Sequence, residues 1–121
     1  MASTKVYAEI WAAQNLVAAA GDTTSGVQTL DDGYGAALHI KLTNGAAGPT
    51  VGAQVQIQVS GDNAEYYDFG PALVGGLANN GVYDWGGIEI PIGVEYLRLV
   101  AGSNTGQNVD VDADISEVTA L

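Results

Sequence analysis

Along residues 53–60, Ala53, Val55, Ile57 and Val59 alternate with Gln54, Gln56, Gln58 and Ser60. A period of two puts the apolar set on one face of a β-strand and the amides on the other, so one face is buried and one is wet. Glutamine is neither acid nor base, and such a face suits water or the surface of another protein. The same alternation runs through residues 36–43, with Leu38, Ile40 and Leu42 inward and His39, Lys41 and Thr43 outward. Residues 94–101 and 109–118 alternate as well, and residues 6–11 read as a first strand. Residues 82–90 form a strand interrupted at Gly86-Gly87, where a β-bulge is expected, and Pro91 ends it. Residues 27–30 and 65–69 are short strands, and residues 73–77 are short and ambiguous. Residues 16–20 fit either a strand or a short helical turn, because alanine favours helix.

Turn signals separate these runs. They are the loop at residues 21–26, Asp31-Asp32-Gly33, Asn44-Gly45 extended by Gly48-Pro49, the hairpin turn Gly61-Asp62-Asn63-Ala64, Asn79-Asn80-Gly81 and residues 102–106. About eight short strands with no convincing helix predict an all-β antiparallel sandwich, jelly-roll-like or immunoglobulin-like. The expected core is Leu38, Ile40, Val55, Ile57, Val59, Leu97, Leu99, Val111 and Ile115. No repeat and no linker divides the chain, so residues 1–121 read as one domain with residues 1–5 as a possible flexible arm.

Composition narrows the class. A chain of 121 residues can bury a sizeable core, and without cysteine it has neither a disulfide nor a thiolate site. The 17 glycines are not periodic and lie between apolar runs, as turns do, which excludes collagen. Three basic residues face 14 acidic ones, and the net charge of −11 argues against nucleic acid and against an anionic membrane face as partners. A hydrophobic content of 47% argues against disorder. The polar start Met1-Ala2-Ser3-Thr4-Lys5 does not read as a signal peptide, and manufacture in a cytoplasm is expected.

Candidate chemistry is sparse. Asp110, Asp112 and Asp114 alternate with apolar residues and could mark a cation site. Carboxylates two apart on a strand are about 6.8 Å apart, however, and cannot converge on one ion without a bend, so a solvated acidic face is favoured. His39 is the single histidine and is expected to point to solvent or to a neighbour. No Gly-x-Ser-x-Gly elbow accompanies it, and no phosphate loop follows Gly33-Tyr34-Gly35 or Gly75-Gly76. Tyr66, Tyr67, Tyr83 and Trp85 fit either a sugar-stacking platform or the edge of a sandwich core, and the core is favoured. Arg98, the single arginine, is expected to pair with a carboxylate within the chain or across an interface. Neither a cofactor nor a metal is expected, and the chain does not read as an enzyme.

Several phrases carry a resemblance. They are Tyr66-Tyr67-Asp68-Phe69-Gly70, Gly81-Val82-Tyr83-Asp84-Trp85, Ile88-Glu89-Ile90-Pro91-Ile92-Gly93 and Tyr96-Leu97-Arg98-Leu99-Val100. With Asn104-Thr105-Gly106-Gln107 and the valine–aspartate strand that follows, they resemble small virion proteins of tailed bacteriophages. The resemblance spans roughly the last two-thirds of the chain and rests on turns and strands, not on active-site motifs. It implies a β-sandwich that decorates or cements a capsid shell, with the major capsid protein as partner. It also implies self-association, often as a homotrimer, and residence in the virion. The residues expected at a capsid or subunit interface are Ser3, Thr4, Lys5, Tyr66, Tyr67, Tyr83, Trp85 and Arg98. The alternative is a carbohydrate- or host-receptor-binding module of a phage particle.

Overall fold

The computed structural model describes residues 4–30 and 34–120. Its described residues form ten strands and no helix. They are β1 (Thr4–Leu16), β2 (Thr23–Thr24), β3 (Gln28–Thr29), β4 (Ala36–Asn44), β5 (Gln54–Ser60), β6 (Tyr67–Asp68), β7 (Leu73–Val74), β8 (Val82–Ile90), β9 (Tyr96–Gly102) and β10 (Val109–Ala120). One sheet has the order β1-β10-β4-β8; the other has β2-β9-β5-β6, with β3 also on β9 and β7 also on β5. All pairings are antiparallel.

β2 and β3 share one partner, as do β6 and β7, so each couple acts as one interrupted strand. The strands then nest in pairs from the ends of the chain inward: β1 with β10, β2/β3 with β9, β4 with β8, β5 with β6/β7. That winding is a jelly roll and decides between the two sandwich types expected. The interruption after β2 has a local cause. The buried Ser25 hydroxyl accepts the Leu99 N–H at 2.9 Å and donates to the Gly26 carbonyl, so a side chain takes over one rung of the ladder.

Both sheets bury the faces that alternation assigned. Leu38, Ile40, Leu42, Val55, Leu97, Leu99 and Val111 are fully buried, and Ile57 and Ile115 nearly so. Each such side chain contributes roughly 1.5–3 kcal/mol by leaving water. The end of β5 departs from expectation: Val59 is only partly buried and packs against the core from its rim, while Ser60, assigned to the wet face, is buried with its hydroxyl on Asp62.

β1 is longer than expected and is not regular. Ala8 pairs with Ile115, Trp11 with Ala113 and Leu16 with Val109, with register shifts on both sides of Trp11. The extra residues are absorbed in bulges, with Ala13 at φ 46°, so that Trp11 and Leu16 both reach the core. Residues 16–20 form neither a second strand nor a helix: Leu16 ends β1, and the Ala20 N–H donates to the Val17 carbonyl at 3.3 Å across a turn with Ala19 at φ 56°. The buried Asn104 amide holds that end, donating to the carbonyls of Leu16 at 2.9 Å and Gln107 at 3.0 Å. The bulge expected at Gly86-Gly87 is present, as a register shift in the β4–β8 pairing with Gly87 at φ 66°. Gly52 is required by a close approach: a Cβ there would lie 2.0 Å from the Gly75 carbonyl oxygen.

Strand pairing corrects the expected arm. Thr4 and Lys5 belong to β1 and pair with Ala120 and Val118, because the last strand extends far enough to bond them. Ser3 lies outside the described residues.

Candidate functional site

The two outer faces differ in chemistry. On the β1-β10-β4-β8 sheet, Asp110, Asp112 and Asp114 stand opposite Thr43, Lys41 and His39 of β4, and Asp84 and Glu89 of β8 stand opposite Lys41 and Ala37. Glu9 of β1 pairs with Asp114. Carboxylates thus line both sides of the cationic positions on β4.

His39 bridges its two neighbouring strands. Nε2 lies 2.5 Å from Asp84 Oδ1 and Nδ1 lies 3.3 Å from Asp114 Oδ2. The hydrogen bond to Asp114, then that to Asp84, raises the His39 pKa above the ordinary histidine value, against an opposing effect of partial burial. Asp84 is the nearer carboxylate, but its side chain is 55% exposed against 32% for Asp114, so water screens it more. The acidic row therefore faces outward as expected without being merely solvated. Asp114 holds His39, Asp112 Oδ1 accepts the Ala13 N–H of the β1 bulge at 2.9 Å, and Asp110 is exposed.

The sign of the His39 shift fixes a pH dependence. A raised folded pKa contributes stability that is fully present below the ordinary value of about 6.5 and lost as pH rises through the higher folded value. Urea midpoints of the wild type are expected to fall from pH 6 to pH 9, with His39→Gln flattening the profile over that interval (pH values about neutrality). A parallel fall in His39→Gln would assign the effect to other groups.

The outer face of the other sheet is nearly uncharged. Gln54, Gln56 and Gln58 of β5 stand opposite Gly102, Val100 and Arg98 of β9. Arg98 Nε donates to Gln58 Oε1 at 2.8 Å, and its guanidinium lies 3.9 Å from the Tyr66 ring centroid. Within the chain, among the described residues, Arg98 thus meets an amide and an aromatic face and no carboxylate. Gln58 Nε2 donates to Asp68 Oδ1 at 3.2 Å, and Gln56 Nε2 donates to the Gly70 carbonyl at 3.0 Å. The turn bearing Tyr66 is held by Asp62, whose Oδ1 accepts the N–H groups of Ala64 and Glu65 and the Ser60 hydroxyl. These bonds, led by that from Glu65, lower the Asp62 pKa. The Tyr66 hydroxyl donates to Asn63 Oδ1.

The aromatic residues do not form one platform. Tyr83 and Trp85 pair with the buried Leu42 and Ile40 and pack against the core from β8. The Tyr83 hydroxyl accepts the Ala78 N–H at 3.2 Å. Tyr66 and Tyr67 belong to the other sheet's edge, where Tyr67 is 63% exposed and donates to Glu65. Tyr67 borders a hollow of about 160 Å³ with Val59, Ser60 and Val94. The larger cleft, about 280 Å³, includes Lys5, Tyr34, Glu89, Ile92 and Val118. Lys5 was singled out from the sequence. Tyr34 and Ile92 were not, because they sit beside turns where no periodicity marks them.

No family model matches the chain, and no curated protein matches it. Solved structures do. The chain is similar to the VP2 subviral particle of infectious bursal disease virus, with TM-score 0.59 and 9% identity over 96% of this chain, and spans 33% of that longer chain. It is similar to the SPBc2 prophage-derived protein YomS, with TM-score 0.50 and 14% identity, covering 97% of this chain and 96% of that one. The K1 cleaved adhesin domain of Lys-gingipain from Porphyromonas gingivalis W83 gives TM-score 0.53 and 14% identity, covering 94% of this chain and 73% of that one. Likeness at such identities shows a shared fold.

Proposed function

We propose that this chain is a non-enzymatic structural protein of a phage particle, which binds the outside of the capsid shell and stabilises it as a decoration or cement protein. The observation that carries this reading is the end-to-end match to a prophage-derived protein, 97% of this chain on 96% of that one. Support also comes from the shared fold with a subviral particle protein and from the phage-like strand phrases. The partners are the major capsid protein and further copies of the chain in a small symmetric assembly, made in the host cytoplasm and resident in the virion. Chemistry is consistent with a binding role. Both ring nitrogens of His39 are taken by carboxylates, so neither is placed to deprotonate a hydroxyl nucleophile.

A second reading is favoured by the likeness to the K1 adhesin domain and by the exposed Tyr67: a host-receptor or carbohydrate-binding module of the same particle. Quantitative mass spectrometry of purified virions separates the two. A decoration protein is expected in copy number proportional to the capsid protein. A few copies per particle, with glycan-array binding by the purified chain, would replace the first reading by the second. Absence from virions would overturn both.

A further inference from the structure

Arg98 of β9, Gln58 of β5 and Asp68 of β6 stand in one row across three adjacent strands. Gln58 sits between the two charges and bonds each of them, at 2.8 Å to Arg98 Nε and 3.2 Å to Asp68 Oδ1. These contacts occupy one side of each charged group. The terminal nitrogens of Arg98 and the second carboxylate oxygen of Asp68 have no hydrogen-bond partner among the described residues. The Tyr66 ring over the guanidinium and the Gln58 bond to Nε fix the fork before any partner arrives. A fork held in this way matches a carboxylate, which can take two parallel hydrogen bonds.

The row reads positive, neutral, negative. A twofold axis lying in the plane of this face along β5 sets Gln58 against its own copy and exchanges the two ends. Each Arg98 then meets Asp68 of the second copy, twice by symmetry, as an isologous contact requires. We infer that this face pairs two copies of the chain about a twofold axis, through reciprocal Arg98–Asp68 ion pairs. The outward positions Gln54, Gln56, Val100, Thr24 and Tyr96 carry no charge, and the Asp22 carboxylate lies at the end of the face, against Gly102. The pairing is twofold and so is distinct from the trimer that the phage resemblance implies.

Its strength follows from the area. Four strand positions about 4.8 Å apart, each about seven residues long at roughly 3.4 Å per residue, give a footprint near 450 Å². That is about half of the roughly 800 Å² per partner of a standard interface. The dimer is therefore weak and fills only at high concentration, such as many copies on one surface would create.

Sedimentation velocity of the purified chain, from micromolar to millimolar concentration, tests this without any particle, so its outcome is independent of the virion reading. The wild type is expected to shift from monomer to dimer, and added salt to oppose the shift. Arg98→Asp and Asp68→Arg are each expected to weaken association about tenfold or more by setting like charges opposite one another, and the double exchange to restore it. Far-UV circular dichroism and melting check each variant's fold. Should a charge reversal fail to fold, Arg98→Gln and Asp68→Asn take its place, each expected to weaken the dimer. A chain that stays monomeric overturns the inference. So does a dimer that survives the single changes, or a double exchange that recovers nothing.

Discussion

Replacing Leu99 by alanine is expected to lower the folding free energy by about 2–5 kcal/mol. Leu99 is fully buried on β9, opposite Ile57 of β5, and β9 lies inside its sheet between β2/β3 and β5. Truncation loses the transfer free energy of the removed carbons. It also leaves a cavity that two hydrogen-bonded neighbouring strands cannot easily close. A domain of this size commonly has only about 5–15 kcal/mol of stability, so the loss is a large share of the whole. The neighbouring Val100 points outward toward Gln56 and is only partly buried, so Val100→Ala serves as the control, with a change within about 1 kcal/mol. Urea unfolding of the two variants checks the contrast. Equal effects would mean that the faces of β9 have been assigned the wrong way round.

That contrast rests on what the residues themselves revealed. The faces of β4, β5, β9 and β10 were legible because apolar residues recur at every second position, as a half-buried strand requires, although that reading fails at the end of β5, where Val59 is partly buried and Ser60 buried. Gly86-Gly87 announced its bulge because two adjacent glycines have no side chains to hold a regular ladder. β1 was read too short because its alternation is broken by the bulges that bring Trp11 and Leu16 inward, and a period of two cannot be seen through an inserted residue. β2 and β7 are two residues each, too short to carry any period. The nesting of the strands depends on long-range pairing, so the choice of a jelly roll over an immunoglobulin-like sandwich had no local signal.

The candidate site was legible in part. Tyr83 and Trp85 share a face, as expected from their spacing, and that face proves to be the core side of β8. His39 was placed outward correctly, yet its two carboxylates come from β8 and β10, far from it in sequence. Arg98 was expected to pair with a carboxylate within the chain or across an interface, and within the chain it meets Gln58 and Tyr66, because the strand beside it presents amides. The contrast between an acidic face and an amide face arises only when the strands of each sheet are assembled. Each strand alone shows little of it.

The proposal that the chain stabilises a capsid is tested most directly by particles from which it has been removed. A protein that binds only the assembled shell shifts the equilibrium toward that shell, by about 2.7 kcal/mol per site when its free concentration is about a hundred times Kd. Summed over many copies, even weak binding raises the temperature at which the shell opens. The direct measurement is DNA release on heating, followed by dye fluorescence, for particles with the protein, without it, and with purified protein added back. Depleted particles are expected to assemble normally, to release DNA at a lower temperature, and to recover when the protein is restored. Equal release temperatures in all three samples would contradict the account.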